Sequence, residues 1–360
     1  MFNQSNDTAF FYHQMGNKIG TILFSLIYFL GFIGNTLSIL TFSSRRMRQI
    51  SSSIFLLALS ISDTIALITS IWYFLADAFN IRLQNYSALA CRFRLFCAYL
   101  FMDLSSWCIA ALAVDRYLRT KLPLASRTIC TPRNTCKVIF VFVILLSIIN
   151  GHYFSPAIGQ EQSENRSTAH CLENQEDYPN YFYFHKIIWP KIDMMVFCFL
   201  PACIMILCNI NIIYLVKRQR YSLESNVDLS FENDLSLYRT SSRSFTEHRK
   251  ALERQMSLMM IACVIVFILT SVPVTIYLIF LENVVSENPD FPRDNAFCVL
   301  IFRVLRAWMY LHFSLNFYLQ CLTSRIFRAE FLRTITCQSS KPEPIPLHPR
   351  CLIISKCSDH

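Results

Sequence analysis

The sequence predicts an all-α membrane protein, a seven-transmembrane helix bundle with a short amphipathic helix after the seventh span. Two observations lead to this fold class. Of the 360 residues, 54% are apolar and only 16% are charged, which is too apolar for a water-soluble chain of this length. The apolar residues also fall into seven stretches of about 20 residues or more, the length that crosses a hydrocarbon layer of ~30 Å.

The seven stretches occupy most of the chain and lie near residues 19–42, 53–77, 90–117, 136–158, 187–216, 255–280 and 297–322. The third and fifth are the least apolar, because they contain charged residues that at such depth usually face the interior of a bundle. The predicted division is an extracellular N-terminal segment 1–18, a membrane domain 19–335 with an inner loop 217–254 and an amphipathic helix 324–334, and a cytoplasmic tail 336–360.

The distribution of charge predicts the orientation. The loops and tail on one side hold 23 of the 33 lysines and arginines, and such an excess marks the cytoplasmic side. Four glycosylation sequons, which must face the secretory lumen, all fall on the opposite side, at Asn3, Asn6, Asn85 and Asn165. We therefore expect a multi-pass plasma-membrane protein with an extracellular N-terminus, whose first span acts as an uncleaved signal anchor.

Several function classes are disfavoured. Six glycines leave no glycine-rich phosphate-binding loop, and the short motifs of common soluble hydrolases and metalloproteases are absent. We predict no enzyme, no cofactor and no metal site. The net charge of +9 follows from the orientation and provides no basic aromatic surface for nucleic acid.

Fifteen cysteines suggest a disulfide-rich protein, but most lie within spans or on the cytoplasmic side, where thiols stay reduced. Cys91, at the outer end of the third span, and Cys171, in the second outer loop, are the obvious disulfide pair. Cys298 is better explained as a buried thiol than as a bridge.

The inner end of the third span carries Asp115-Arg116-Tyr117, and Cys91 stands 25 residues before Arg116. With the seven spans, these features resemble rhodopsin-like G-protein-coupled receptors over roughly residues 19 to 335. The resemblance implies a receptor that binds an extracellular ligand and activates a heterotrimeric G protein, with membrane lipid around it.

The resemblance also extends to polar residues inside the bundle. Asn35, Asp63 and Ser105 match positions that line a sodium-binding and activation cavity in the family, and a carboxylate in mid-membrane indicates function by default. The alternative is a water-bridged structural cluster. The sequence His312-Phe313-Ser314 does not supply the usual polar closure of that cavity, which counts against bound sodium.

The family resemblance gives Arg116 a role in coupling. Its candidate partners are the adjacent Asp115 and Glu253, which stands 20 residues before Pro273, where some family members carry an acid that locks the third and sixth helices together. The alternative is a solvated Glu253. Pro201 and Pro273 match helix-bending prolines and are candidate hinges.

The end of the membrane domain has two further features. Asn316 matches the conserved asparagine of the family's seventh span and is assigned to activation. Phe327 and Phe331 stand four residues apart among arginines, which predicts an amphipathic helix on the membrane surface. Cys337 then follows as a candidate for palmitoylation, although nothing in the sequence decides that point.

The chain departs from the family pattern at several positions. The fourth span lacks tryptophan, Ser271 stands where an aromatic toggle is usual, Phe317 follows Asn316 in place of proline, and Asn209 replaces an inward tyrosine. With these departures, the sequence resembles some invertebrate neuropeptide receptors of the FMRFamide-receptor-like group. They also leave open a non-signalling decoy or heteromer partner. A transporter or channel is a remote alternative, because no internal repeat is visible.

The predicted ligand is a peptide. Ala98 stands where amine receptors carry aspartate, and Tyr310 stands where opsins carry the retinal lysine. Polar residues of both signs are predicted to face an upper cavity: Arg94, Tyr99, Asp193, Arg306 and Tyr310. The acidic and aromatic second outer loop would attract a basic peptide. Alternatively Asp193 and Arg306 pair with each other, the loop is merely solvated, or the ligand is a lipid or odorant.

Overall fold

The computed structural model describes residues 2–81, 87–161, 169–173, 176–228, 259, 261–280 and 296–336. Within these ranges, seven helices are long and apolar enough to cross a membrane, and the predicted all-α seven-helix architecture is confirmed. We number the long helices as follows: α1 Phe2–Phe42, α2 Ser51–Phe79, α3 Ala88–Lys121, α4 Pro132–Asn150, α5 Pro179 to Asp228, α6 Ile261–Phe280, α7 Ala296–Thr323 and α8 Arg325–Ile335.

Local sequence explains several helix ends. Thr131 caps α4 by accepting a hydrogen bond from the backbone N–H of Asn134 at 3.3 Å, and Pro132 occupies the first turn, where a missing N–H is harmless. Ser324 caps α8 in the same way, through the N–H of Phe327 at 3.2 Å. Asn80 closes α2 in the left-handed conformation, with φ of 55°.

Several predicted boundaries differ from the structure. Helix α1 begins at Phe2, and its membrane-length apolar part begins at Phe10 rather than residue 19. Helix α4 ends at Asn150 and continues as a 3-10 turn, Gly151–Phe154, so the predicted end of the fourth span at 158 is wrong. Helix α5 begins at Pro179, earlier than the predicted 187, because the aromatic residues before that point continue the helix.

Helix α5 contains two wider turns of π-helix, Phe184–Ile188 and Met194–Phe199. Each lies just before a proline, Pro190 and Pro201 respectively. Proline has no N–H for the carbonyl four residues earlier, and in both cases that carbonyl belongs to the π-helical turn. Loss of this bond is therefore a physical reason for the wider turns. The second of them lies at Pro201, one of the two proline hinges that the sequence predicts.

A two-stranded antiparallel hairpin covers the outer end of α3. Its strands are β1, Ile158–Glu161, and β2, Ala169–Glu173, with Ile158 opposite Glu173. Gly159 has φ of +69°, and a Cβ there would lie 3.0 Å from the Cα of Ala88. Only glycine fits this backbone conformation at such a close approach to α3.

Helix α3 is central in the described part of the bundle and packs against α2, α4, α5 and the hairpin, whereas α1 packs mainly against α7 and α2. The largest fully buried side chains form a core between these helices and include Phe24, Leu67, Ile109, Met205, Phe267 and Phe313. By contrast, α4 exposes Phe140, Ile144, Leu145 and Ile148, the outward apolar surface expected of a membrane helix.

Candidate functional site

A disulfide anchors the hairpin to α3. Cys91, in the first turns of α3, is bonded to Cys171 of β2, with 5.7 Å between the Cα atoms, so the predicted pair is present. Arg92 strengthens the attachment by donating a 2.7 Å hydrogen bond from Nε to the carbonyl of Ile158. The hairpin is thereby held over the outer ends of the helices.

Two of the predicted ligand-binding arginines meet at one aromatic ring. The guanidinium carbon of Arg94 lies 5.0 Å from the ring centroid of Tyr73 on α2, and that of Arg306 on α7 lies 4.0 Å from the same centroid. Arg94 also lies 5.5 Å from the ring of Trp72. Arg94 is buried, and its Nε and Nη1 atoms have no hydrogen-bond partner among the described residues. We call Arg94, Arg306 and Tyr73 the basic pole.

Tyr310 lies one helical turn inward from Arg306. Its hydroxyl approaches the sulfur of Met102 at 3.9 Å, and its ring packs against Phe24 and Phe313. Because Tyr310 is only 3% exposed, we interpret it as the floor beneath the basic pole.

Tyr99 belongs to an aromatic cluster on a different face of α3. Its ring stacks on Tyr153 at 4.7 Å between centroids and meets Trp189 edge-on at 6.3 Å. His152 lies against Trp189 at 3.9 Å, and its Nδ1 is 3.0 Å from the hydroxyl of Tyr181. This cluster joins α3 to the outer ends of α4 and α5.

Asp193 lies near a second carboxyl group, that of Asp103 in the third span. Asp103 is 2% exposed and accepts a 2.8 Å hydrogen bond from Asn150, and the Asp193 carboxyl is within electrostatic reach of it. Asp193 makes no ion pair in the described part of the chain, so it does not pair with Arg306 there. We call Asp103 and Asp193 the acidic pole.

The two poles lie on opposite faces of α3. Arg94 and Asp103 are nine residues apart, which at 100° per residue is half a turn beyond two full turns and about 13 Å along the axis. Their neighbours agree, since Arg94 contacts α2 whereas Asp103 contacts Asn150 of α4. A compact zwitterion is too short to reach both poles.

The predicted polar interior of the bundle is formed around Asp63. Ser105 donates a hydrogen bond to its Oδ1 at 2.5 Å, and Asn316 donates one to its Oδ2 at 2.7 Å. Asp63 is fully buried. Asn316, which the sequence assigns to activation, therefore lies in this interior cluster. Asn35, predicted to line the same cavity, donates to the carbonyl of Phe313 at 3.0 Å.

At the inner end of α3, Asp115 has Arg119 as its ion-pair partner. Arg119 Nε lies 3.0 Å from the carboxylate, and Ser51 and Ser52 donate to the same group at 2.7 and 2.8 Å. Arg119 also donates to the carbonyl of Cys130 at 3.0 Å. Burial, followed by the nearby carboxylate, raises the pKa of the Cys130 thiol to about 11, so this cysteine stays protonated at neutral pH.

The other inner residues are placed as follows. Arg116 is half-buried on α3, and Lys121 lies 5.3 Å from the ring centroid of Tyr117. Glu253, the predicted partner of Arg116, lies outside the described residues, as does most of the inner loop 217–254.

Helix α8 packs against the bundle through aromatic rings. Phe327 lies 5.1 Å from Phe42, and Phe317 lies 5.8 and 5.4 Å from Phe327 and Phe331. Glu330 accepts a hydrogen bond from Ser44 at 2.9 Å, which ties α8 to the end of α1. Phe317, which stands where the family carries proline, is thus one of the contacts between α7 and α8.

The predicted modification sites are untested. Asn85, Asn165 and Cys337 lie outside the described residues, and of Asn3 and Asn6 only the helical backbone is described.

Sequence reasoning missed two sets of residues. Tyr73 carried no local signal, because its importance comes from arginines on two other helices. The pairing of Arg119 with Asp115 was also missed, although the sequence contains a signal for it, because residues four apart on a helix are neighbours.

Comparison with known proteins identifies relatives among receptors. Human galanin receptor type 2 is 30% identical over 149 residues, which is 41% of this chain and 38% of that receptor. Galanin receptor 2b of Danio rerio is 33% identical over 138 residues, 38% of this chain and 36% of that protein. A probable G-protein coupled receptor of Caenorhabditis elegans is 19% identical over 330 residues, 90% of this chain and 70% of that protein.

The match with the galanin receptors spans about two fifths of their length. All three of these relatives are named as receptors, which supports the prediction that the chain is not an enzyme. The FMRFamide-receptor-like affiliation stays a prediction. The model of the rhodopsin family of seven-transmembrane receptors matches residues 34–320, most of the chain. The protein therefore belongs to the rhodopsin family of seven-transmembrane receptors, multi-pass proteins of the membrane.

Proposed function

We propose that this receptor binds an extracellular peptide at the outer ends of α2, α3, α5 and α7 and activates a heterotrimeric G protein. In this proposal it resides in the plasma membrane, surrounded by lipid, with its N-terminus outside. The observation that carries the proposal is the separation of the basic pole from the acidic pole by half a turn and about 13 Å of α3. An extended ligand with groups of both signs can use both poles, and a peptide has that length and chemistry.

The relatives support the same ligand class, because several receptors that are similar to this chain are named for galanin, a neuropeptide. The hairpin also supports it. The hairpin, which the disulfide anchors over α3, borders the outer helix ends where an extended chain would lie.

Transmission to the inner face is proposed as a shift between two conformations. Asp63, Ser105 and Asn316 connect α2, α3 and α7 through short hydrogen bonds, so a ligand that moves the outer part of α7 changes this cluster. Pro273 in α6 is the proposed hinge of an outward swing, and Arg116 is the proposed contact of the G protein or of the resting-state lock.

The experiment is a second-messenger screen of expressing cells against short peptides that carry basic residues, acidic residues or both. The Arg116→Ala variant should abolish any response, whereas Arg127→Ala, which removes an exposed charge from the same inner face, should leave it. Equal surface expression of each variant is the control.

A response to peptides that is lost in Arg116→Ala and kept in Arg127→Ala supports the proposal. If only lipids or odorants activate the receptor, the ligand belongs to that alternative class and the peptide proposal is wrong. Absence of G-protein recruitment at high surface expression would favour the non-signalling decoy.

A further inference from the structure

Two acids meet inside the bundle with no basic group beside them in the described part of the chain. Asp103 on α3 is 2% exposed, and Asp193 on α5 is half-buried. The ionisable groups within electrostatic reach of Asp193 are all acids or weak acids: Asp103, Tyr99, Tyr153 and Cys198. Neither carboxyl group makes an ion pair among the described residues. Neighbouring carboxylates repel each other, and a buried charge is strongly disfavoured without a partner, so the arrangement favours a positive group or a proton beside them.

A direct hydrogen bond between α3 and α5 explains why the two acids meet. Trp107 Nε1 donates to the carbonyl of Val196 at 3.1 Å. Asp103 stands four residues before Trp107, and Asp193 stands three residues before Val196, so each acid lies about one turn further out along its helix. Because α3 and α5 cross the membrane in the same direction, the two acids are level with each other.

An independent observation at the same place is the side-chain oxygen of Asn150 on α4. The amide nitrogen of Asn150 donates to Oδ2 of Asp103 at 2.8 Å and to the carbonyl of Leu146 at 3.0 Å, which fixes the orientation of the amide. Its oxygen is buried and has no donor among the described residues, and the same is true of Oδ1 of Asp103. An amide oxygen lies about 2 Å from its nitrogen, so this acceptor lies within about 5 Å of the Asp103 carboxyl group. The site therefore has acceptors in excess of donors.

We propose that Asp103, Asn150 and Asp193 bind a primary ammonium group of the extracellular ligand. Such a group has three N–H donors, one for each of Asp103 Oδ1, Asn150 Oδ1 and the Asp193 carboxylate, and its charge balances the acids. The inference deepens the proposed function and rests on it, because it names the cationic group of the ligand. Asp103 stands five residues further along α3 than Ala98, so this is a different position from the one at which amine receptors carry aspartate. We call the three residues the ammonium site.

The depth of the ammonium site limits which part of the ligand reaches it. Asp103 lies about 13 Å further along α3 than Arg94, so the ammonium group belongs to an end of the ligand. A free peptide amino terminus, a lysine side chain and a small amine all present the same three donors. Asp193 is the least buried of the three residues, so we expect an entering group to meet it first.

A proton is the competing explanation. If Asp103 stays protonated, it is neutral and can donate its own hydrogen bond, and the two acids then need no cation. A buried acid pair of that kind would not discriminate an amine from an uncharged molecule of the same shape. The test must therefore compare probes that differ in charge and in donors.

The direct test uses purified full-length receptor in lipid nanodiscs at neutral pH and phenethylamine, a small aromatic primary amine. Phenylethanol is the matched uncharged probe, and N,N,N-trimethylphenethylammonium keeps the charge without N–H donors. We expect millimolar phenethylamine to raise the unfolding temperature and the other two probes to raise it much less. Asp103→Asn and Asp193→Asn should each lower the apparent affinity for phenethylamine by about tenfold or more, the loss of one charge-assisted contact.

Asp177→Asn is the matched control, because it removes the same charge from an exposed side chain just before α5. It should leave the affinity nearly unchanged at physiological ionic strength. Should Asp103→Asn fail to fold, Asp193→Asn decides, since Asp193 is less buried. An equal loss of affinity in Asp177→Asn would reduce the effect to general attraction of cations and overturn the inference.

Four further results would also overturn it. Equal stabilisation by phenethylamine and phenylethanol would leave only apolar contact, and equal stabilisation by the trimethylated amine would mean that the donors do not matter. Stabilisation that persists in Asp193→Asn, or no stabilisation by phenethylamine at all, would favour the protonated acid pair. Sodium chloride in place of choline chloride is a separate check, because stabilisation by sodium that is lost in Asp193→Asn would assign the site to an inorganic cation instead.

A cellular arm distinguishes the source of the ammonium group. Peptides are tested with a free or an acetylated amino terminus and with lysine or glutamine inside the chain, alongside phenethylamine itself. A response that is lost with one of these groups supports the inference and identifies the source. A response to peptides without any ammonium group that equals the response to the others overturns the ammonium site while the peptide receptor stands. Stabilisation by phenethylamine without any cellular response supports the site and removes the proposed signalling function.

Discussion

The side-chain amide of Asn316 donates a 2.7 Å hydrogen bond to the carboxylate of Asp63, a residue 253 positions earlier in the chain. Ser105 occupies the other carboxylate oxygen at 2.5 Å. Three helices are thus joined at one buried acid. The bond persists although Phe317 follows Asn316 where the family carries proline, so the asparagine keeps its interior contact without that bend.

Replacing Asn316 by alanine should weaken the bundle. One oxygen of the buried Asp63 carboxyl group would lose its donor, and leaving a buried acceptor without a hydrogen bond costs about 1–3 kcal/mol. We expect a lower unfolding temperature for the purified receptor in detergent and a reduced maximal ligand response. Ser314→Ala is the matched control, because among the described residues the Ser314 hydroxyl bonds only to its own helix, at the carbonyl of Leu311. Equal unfolding temperatures for the two variants would contradict a role for the Asp63–Asn316 bond.

The second prediction concerns the inner end of α3. Arg119 bonds to Asp115 and Ser51 on one side and to the carbonyl of Cys130 on the other, so Arg119→Ala should release the second inner loop. A loss of about 1 kcal/mol or somewhat more is expected, since Arg119 is partly exposed. Thermal unfolding measures it, and Arg127→Ala, an exposed arginine of the same loop, should change little. Ser51→Ala combined with Arg119→Ala should lose less than the sum of the single variants.

The third prediction concerns the attachment of α8. Phe317 is 6% exposed and contacts both Phe327 and Phe331, and truncation of a buried phenylalanine costs about 3–5 kcal/mol. In Phe317→Ala, amides of residues 325–335 should exchange with deuterium faster than in the unmodified receptor. Leu322→Ala, at a side chain that is 77% exposed, should leave their exchange unchanged. Unaltered protection of α8 in Phe317→Ala would mean that other contacts hold the helix, such as those of Glu330 with Ser44 and of Arg328 with the carbonyl of Cys321.

The fourth prediction tests the resting-state lock between Arg116 and Glu253. A salt bridge near the membrane surface is worth about 1 kcal/mol, enough to shift a two-conformation equilibrium severalfold. Glu253→Ala should therefore raise ligand-free signalling severalfold at equal surface expression. Glu253→Asp, which keeps the charge on a shorter side chain, should raise it less. Unchanged or lower basal signalling in Glu253→Ala would rule out the lock.

The sequence predicted the architecture because membrane spans depend on length and composition, which are local properties. It predicted the Cys91–Cys171 bond for a similar reason, since orientation leaves few cysteines on the oxidising side. It could not predict the partner of Arg94, because Tyr73 is an ordinary apolar-face residue until α2, α3 and α7 are brought together. It likewise could not predict that the amide of Asn35 donates to the carbonyl of Phe313, because that contact depends on the packing of α1 on α7.

The last prediction concerns the independence of the two poles. Arg94 and Asp193 are assigned to different groups of one peptide, and the α3 positions that define the poles are about 13 Å apart along the helix. Beyond roughly 7–10 Å, the effects of substitutions usually add. With a peptide agonist that has a basic residue and a free carboxylate, Arg94→Gln and Asp193→Asn should each reduce potency about tenfold or more, and the double variant should multiply the two losses.

Arg94→Gln with Arg306→Gln is the contrasting pair, because both act on one carboxylate and their combined loss should fall short of the product. The measurement is agonist potency in all five variants at matched surface expression. The two-pole arrangement would be wrong if the double variant of Arg94 and Asp193 lost no more potency than the more impaired of the two single variants. Both side chains would then serve the same group of the ligand.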